Sequence, residues 1–153
     1  MRKYDEIILS ISEQYARCML SGTKTVEFRR RTIPVASGSR IWIYTKIPIA
    51  RIELYAIVDQ VFNGHISDIW QQFASRGAIS KSDFDNYYSG TMSGSALILR
   101  EIFQLSQPVT LGEMRRVSSS FHPPQFFQKL LNDSPELGLL GDVGSVRVPL
   151  STA

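Results

Sequence analysis

A single cysteine in 153 residues, Cys18, rules out a disulfide within the chain and fits a reducing cytosolic compartment. Histidine is almost as scarce. His65 and His122 stand alone, without the closely spaced partners a metal site needs, so neither a metal nor another cofactor is expected. No apolar run approaches the about 20 residues of a membrane-spanning helix. The first six residues lead straight into the strand-like Ile7-Ile8-Leu9 with no secretory pattern. Charge of one sign is also modest: 17 Lys and Arg against 14 Asp and Glu leave +3, a weak pull towards anionic partners. What is present is a chain 43% hydrophobic, enough for one domain over residues 1–153 with a core that needs no staples.

The charge is concentrated in one segment. Leu20-Ser21-Gly22-Thr23-Lys24-Thr25-Val26-Glu27-Phe28-Arg29-Arg30-Arg31 joins a helix end, a glycine turn, a lysine, a carboxylate and three arginines. Upstream, Ser10-Ile11-Ser12-Glu13 fits a capping box with Ser10 as N-cap, and Ser12 is the alternative cap. Tyr15, Ala16, Met19 and Leu20 recur at helical spacing, and Gly22 sits where a C-terminal glycine takes positive φ. Thr25 to Arg29 then alternates as a half-buried strand does. That period puts Glu27, Arg29 and Arg31 on one face and Val26 and Phe28 on the core side, and Lys24 meets Glu27 if the strand begins after it. Such a corner can hold an anion. Arg40, Lys46 and Arg51 follow close in sequence, and the arginine run reads equally as an anion-facing patch or as a solvated strand end that protects an edge from pairing.

The run LSIxxxYAxxxLSGxKTVEFRRR, followed by a glycine, by Arg40-Ile41-Trp42-Ile43-Tyr44-Thr45 and by a proline segment, resembles the ASCH domain family of the PUA-like superfamily. Phe121-His122-Pro123-Pro124-Gln125-Phe126-Phe127 is similar to a proline-glutamine-aromatic segment late in longer members. The resemblance implies an α+β fold built on a PUA-like, partly open β-barrel with flanking helices, and a cleft associated with RNA or modified nucleosides. Some small members act as amidohydrolases on acylated cytidine, with a threonine three residues after the lysine. Glu27 stands there in this chain, and Thr25, one residue after the lysine, would face elsewhere on an extended strand.

The rest of the chain fits that class. Ile41 to Tyr44 and Ile52 to Phe62 read as strands, separated by Ile47-Pro48-Ile49. Ser67 reads as the cap of a helix that stops near Gly77, and Ser80 with Asp83 opens another that runs to Gly90. Ala96 to Leu105 returns as a strand, Thr110-Leu111-Gly112-Glu113 opens a short helix, and Pro124 suits the first turn of a further one through Leu131. Ser145 to Val148 closes as a strand. No repeat or linker divides the chain.

The candidate site residues are Ser10, Lys24, Glu27, Arg29, Arg31, Tyr44, Lys46, His122 and Gln125. Arg29 and Lys24 suit a phosphate or a base edge, Tyr44 or Trp42 a stacking surface, and Gln125 a base edge. Trp42, Tyr87 and Tyr88 read first as packing residues. The leading expectation is a cytosolic protein that binds RNA or a nucleoside or nucleotide, with no membrane partner, possessing an anion cleft at the helix-to-strand corner. Two others are carried beside it: a hydrolase of a modified nucleoside or of RNA, with Lys24 and Glu27 catalytic, and a regulatory protein-interaction domain with a vestigial cleft.

Overall fold

A computed structural model of the chain describes residues 4–151. It consists of β1 (Glu6–Ile11), α1 (Glu13–Leu20), β2 (Val26–Arg29), β3 (Arg40–Thr45), β4 (Arg51–His65), α2 (Ile66–Gly77), α3 (Lys81–Tyr87), β5 (Ser93–Thr110), α4 (Leu111–Val117), β6 (Phe127–Lys129), α5 (Pro135–Gly141) and β7 (Ser145–Arg147). Seven strands form one sheet in the order β2-β5-β4-β3-β1-β6, with β7 added on β5. β1 and β3 run parallel and the other pairs antiparallel. The sheet curls without closing, which is the α+β, partly open barrel expected. Register shifts along β4 at residues 52–54 and 57–60 supply the bend.

Alternation along the strands divides the core. Ile7, Leu9 and Ile11 of β1 pack with Ile41, Ile43 and the Ala16–Met19 face of α1, whereas Ile8 packs with Trp42, Tyr44, Met114 of α4 and Leu140 of α5. A third cluster joins Val26 and Phe28 of β2 to Ile69 and Phe73 of α2 and to Phe84 and Tyr88 of α3. Both faces of β1 are therefore covered, and all six of its residues are buried. Trp42 is core, as its residue type suggested, and its indole N–H donates to Glu6 Oε1 at 2.8 Å.

Several local expectations are corrected. Ser10 lies inside β1 and its hydroxyl donates to the Pro124 carbonyl at 2.6 Å, so it caps nothing. Ser12 is the N-cap residue of α1, and Glu13 binds Arg17 instead of closing a box. The cap of α2 is His65, whose Nδ1 accepts the Ser67 amide at 3.1 Å. Pro124 does not start a helix. Residues 127–129 pair with β1 as an edge strand, because that pairing satisfies the backbone of an otherwise open edge, and the Ser-Pro start signal operates later, at Ser134-Pro135. The capping box at Thr110 and Glu113 forms as read.

No helix among the described residues is long and apolar enough to cross a membrane. Burial pushes the phenols of Tyr15, Tyr44, Tyr87 and Tyr88 above their ordinary value of 10.0. A phenol held neutral in the folded chain contributes stability that is present below the unfolded value and lost as pH rises through the folded one. Stability to urea should therefore fall from about pH 10 upward. A flat stability profile up to about pH 12, followed through the phenolate absorbance, contradicts this packing.

Candidate nucleic-acid interface

The corner after α1 begins with a helix end that closes on itself. The amides of Gly22, Thr23 and Lys24 donate to the carbonyls of Met19, Cys18 and Cys18 at 3.0 Å each. Gly22 has φ +80, and a Cβ there would collide with the Pro149 carbonyl, so both conformation and space require glycine. The chain then crosses to the end of α2. The Thr25 amide donates to Arg76 O at 2.9 Å, and Arg76 Nε returns a bond to Thr25 Oγ1 at 2.8 Å. Thr25 is thus held by Arg76 and does not line the cleft, although strict alternation would place it with Glu27 and Arg29; β2 begins only at Val26.

This staple drives Lys24 into the interior, where it is 1% exposed. Its ammonium donates to the Gly77 carbonyl at 2.6 Å, at the negative C-terminal end of α2. It lies 3.5 Å from Glu27 Oε1 and 4.9 and 5.3 Å from the ring centres of Tyr15 and Phe28. Burial pushes its pKa below the ordinary lysine value and the Glu27 carboxylate opposes that shift. Glu27 in turn accepts from Arg29 Nη1 through its other oxygen at 3.2 Å. One carboxylate therefore sits between two cations, and the triad carries one formal positive charge in excess.

Glu27 and Arg29 share a face as expected, and Glu27 is buried there beside Lys24. β2 stops at Arg29, so Arg31 lies beyond the alternation and turns its guanidinium over Phe126, 4.8 Å from the ring centre.

Three cavities share Lys46 in their lining, and the first two also reach the triad. The first, about 260 Å³, is lined by Ser10, Tyr15, Lys24, Glu27, Arg29 and Lys46. The second, about 330 Å³, is lined by Arg29 of β2, Arg31, Gln125 and Phe127 of β6, and so lies between the two open edge strands. The third, about 360 Å³, is lined by Ser10, Tyr44, Ile47, Leu111, Pro124 and Gln125. Lys46 lines all three, is exposed, and its ammonium has no ion-pair or hydrogen-bond partner among the described residues.

The candidates thus converge, with one exception. Ser10, Lys24, Glu27, Arg29, Arg31, Tyr44, Lys46 and Gln125 all line this trough, although Ser10 serves chiefly to tether the Pro124 wall. His122 is exposed and lines none of the three cavities. Tyr15 and Tyr87 were not singled out for the site. Tyr87 reads as a packing residue beside Phe84 and Tyr88, yet its hydroxyl accepts the Arg30 amide at 3.1 Å and its ring lines the first two cavities. For Tyr15 the signal was its place in the run LSIxxxYAxxxLSGxKTVEFRRR.

No protein-family model matches the chain. The chain is 31% identical over 120 residues to an ASCH domain-containing ribonuclease of Zymomonas mobilis, spanning 78% of this chain and 80% of that protein. The crystal structure of ASCH from Zymomonas mobilis superimposes with a TM-score of 0.85 at 27% identity, over 92% of this chain and 96% of that one. The large ribosomal subunit protein uL22 of Ureaplasma parvum is 25% identical over 109 residues, which are 71% of this chain and 35% of that protein. The open sheet, the lysine-centred corner and the ribonuclease relative agree, and the chain belongs to the ASCH domain family.

The burial of Lys24 makes it a structural residue whatever else it does. Lys24→Ala should destabilise the fold by about 3 kcal/mol, because it leaves the Glu27 carboxylate and the Gly77 carbonyl short of a partner. Lys24→Met, which keeps the stem volume, should lose less. Urea denaturation of both variants checks this, and wild-type stability in Lys24→Ala would remove the pair from the architecture.

Proposed function

We propose that this protein binds single-stranded RNA along the trough, in the cytosol, with phosphates held by Arg29 and Lys46. The observation that carries the reading is Lys46, an unpaired ammonium where three cavities meet, beside a triad with one positive charge in excess. Arginine's planar fork can grip a phosphate with two N–H groups, while lysine contributes a mobile point charge. The aromatic and apolar walls suit bases splayed out of a stack, which duplex RNA does not present. The ribonuclease relative supports RNA as the polymer.

The same relative supports a second reading, cleavage of the bound strand. Glu27 is then the group placed to take the proton from a ribose 2′-hydroxyl as that oxygen attacks the adjacent phosphorus. The 2′-oxygen to phosphorus bond forms, the bond to the 5′-oxygen breaks, and that oxygen leaves with a proton from solvent or from Lys46. Arg29 and Lys46 would offset the charge that gathers on the phosphoryl oxygens. Lys24 contributes by holding Glu27 in place, since its own ammonium is enclosed and already bound to Gly77.

Fluorescence-anisotropy titration of a labelled single-stranded RNA at several salt concentrations tests the binding. Affinity should fall linearly on logarithmic axes, and Lys46→Ala should reduce the slope by about 0.7, the value for one phosphate contact on a single strand. An unchanged slope removes Lys46 from the interface. Gel analysis of the same mixtures separates the two readings: if the strand is cut, Glu27→Gln should stop cleavage while binding persists, and cleavage that survives the substitution excludes Glu27 as the base.

A further inference from the structure

The third cavity differs from the other two in make. Ile47, Leu111, Pro123 and Pro124 give it mostly apolar walls, to which Ser10, Tyr44, Lys46 and Gln125 add the polar groups. At the floor stands Tyr44, 3% exposed, whose hydroxyl has no hydrogen-bond partner among the described residues and is not among the fully sealed polar atoms. A polar group this deep normally has a partner, and Tyr44 lines the cavity from which one could come. Burial raises the phenol's pKa, so the hydroxyl keeps its proton and can donate as well as accept. At the rim, the Gln125 carboxamide is likewise without a partner among the described residues.

Two further facts narrow the occupant. Lys46 lines this cavity and also the one that holds Arg29, so whatever fills the apolar space is continuous with an anion site. The Pro124 wall is fixed in advance by the Ser10 hydroxyl, which donates to its carbonyl at 2.6 Å. A preformed wall spares the ordering cost on binding. A flat ring with a hydrogen-bonding edge, linked through a sugar to a phosphate, satisfies all of these constraints. An aliphatic chain would leave the Tyr44 hydroxyl unpaired, and a free anion would leave the apolar walls uncovered.

We infer that the compartment between Tyr44 and Pro124 is a base-specificity pocket, which takes one nucleobase of a bound RNA strand and reads its edge through the Tyr44 hydroxyl and the Gln125 carboxamide. This rests on the RNA-binding reading and adds to it that binding depends on the base. Phosphate contacts at Arg29 and Lys46 fix position, and this pocket supplies the discrimination.

The test compares single-stranded ribohexanucleotides of adenosine, cytidine and uridine, titrated by anisotropy at one salt concentration against wild type, Tyr44→Phe and Gln125→Ala. Wild type should prefer one base by about tenfold, the effect of one to two lost hydrogen bonds. Tyr44→Phe and Gln125→Ala should each narrow that preference to about threefold or less while the salt slope stays as in wild type. Gln125 is exposed, so its variant folds even if the buried Tyr44→Phe is weakened. Equal wild-type affinity for all three strands, or a preference that both variants retain, overturns the pocket and leaves the RNA-binding reading standing. Failure of every strand to bind wild type, even at low salt, overturns both.

Discussion

The architecture of the site depends on one buried ammonium. Lys24 lies where the end of α1, the start of β2 and the end of α2 come together, and it satisfies the Gly77 carbonyl and the Glu27 carboxylate together. Enclosing a lysine is costly, and the cost is offset by a carboxylate, a helix C-terminus and two aromatic faces. Because Glu27 is held from one side by Lys24, its other oxygen is free to orient Arg29, and Arg29 reaches the trough already positioned. The interior lysine therefore shapes the surface charge without itself lying in the open part of the site.

The open sheet gives this corner its use. A closed barrel would pair β2 with β6, but here the two edge strands are separated by a cavity to which both contribute. Arg31 and Phe126 meet beside it, and the Ser10 tether holds the Pro124 wall of the neighbouring cavity. Charge collects on the β2 side, while apolar surface collects near Pro123 and Pro124. Lys46, on the turn between β3 and β4, is common to both. This division of a single trough into charged and apolar parts matches the chemistry of a nucleotide chain, which alternates phosphate and base.

Much of this was legible because it is local. Helical spacing, the glycine at the end of α1 and the alternation of β2 identified the corner, and Lys24 beside Glu27 followed from where the strand begins. The missing parts are those decided at long range. The Gly77 carbonyl that fixes Lys24 is far away in sequence, and no spacing rule links the two. Ser10 carries a valid capping signal, but pairing of β1 with β3 extends the strand through Ile11 and overrides it. The helix signal at Pro124 lost to the open edge of β1 for the same reason. Tyr87 has the spacing of a packing residue, and only its bond to the Arg30 amide turns it to the cleft. His122 drew interest from its neighbours in sequence, yet its side chain lies outside the trough.

The proposed path of a single-stranded RNA runs along the trough built on the Lys24–Glu27–Arg29 triad. The most direct measurement is an NMR titration of isotope-labelled protein with a short single-stranded RNA, followed through backbone amides and arginine Nε–H signals. With RNA in the trough, the largest shifts should fall on Arg29 to Ile33, Lys46, Ile47 and residues 121–127, with the Arg29 Nε–H among them. Shifts that gather instead on β7 and the neighbouring face of β5, or none at saturating RNA, would contradict it.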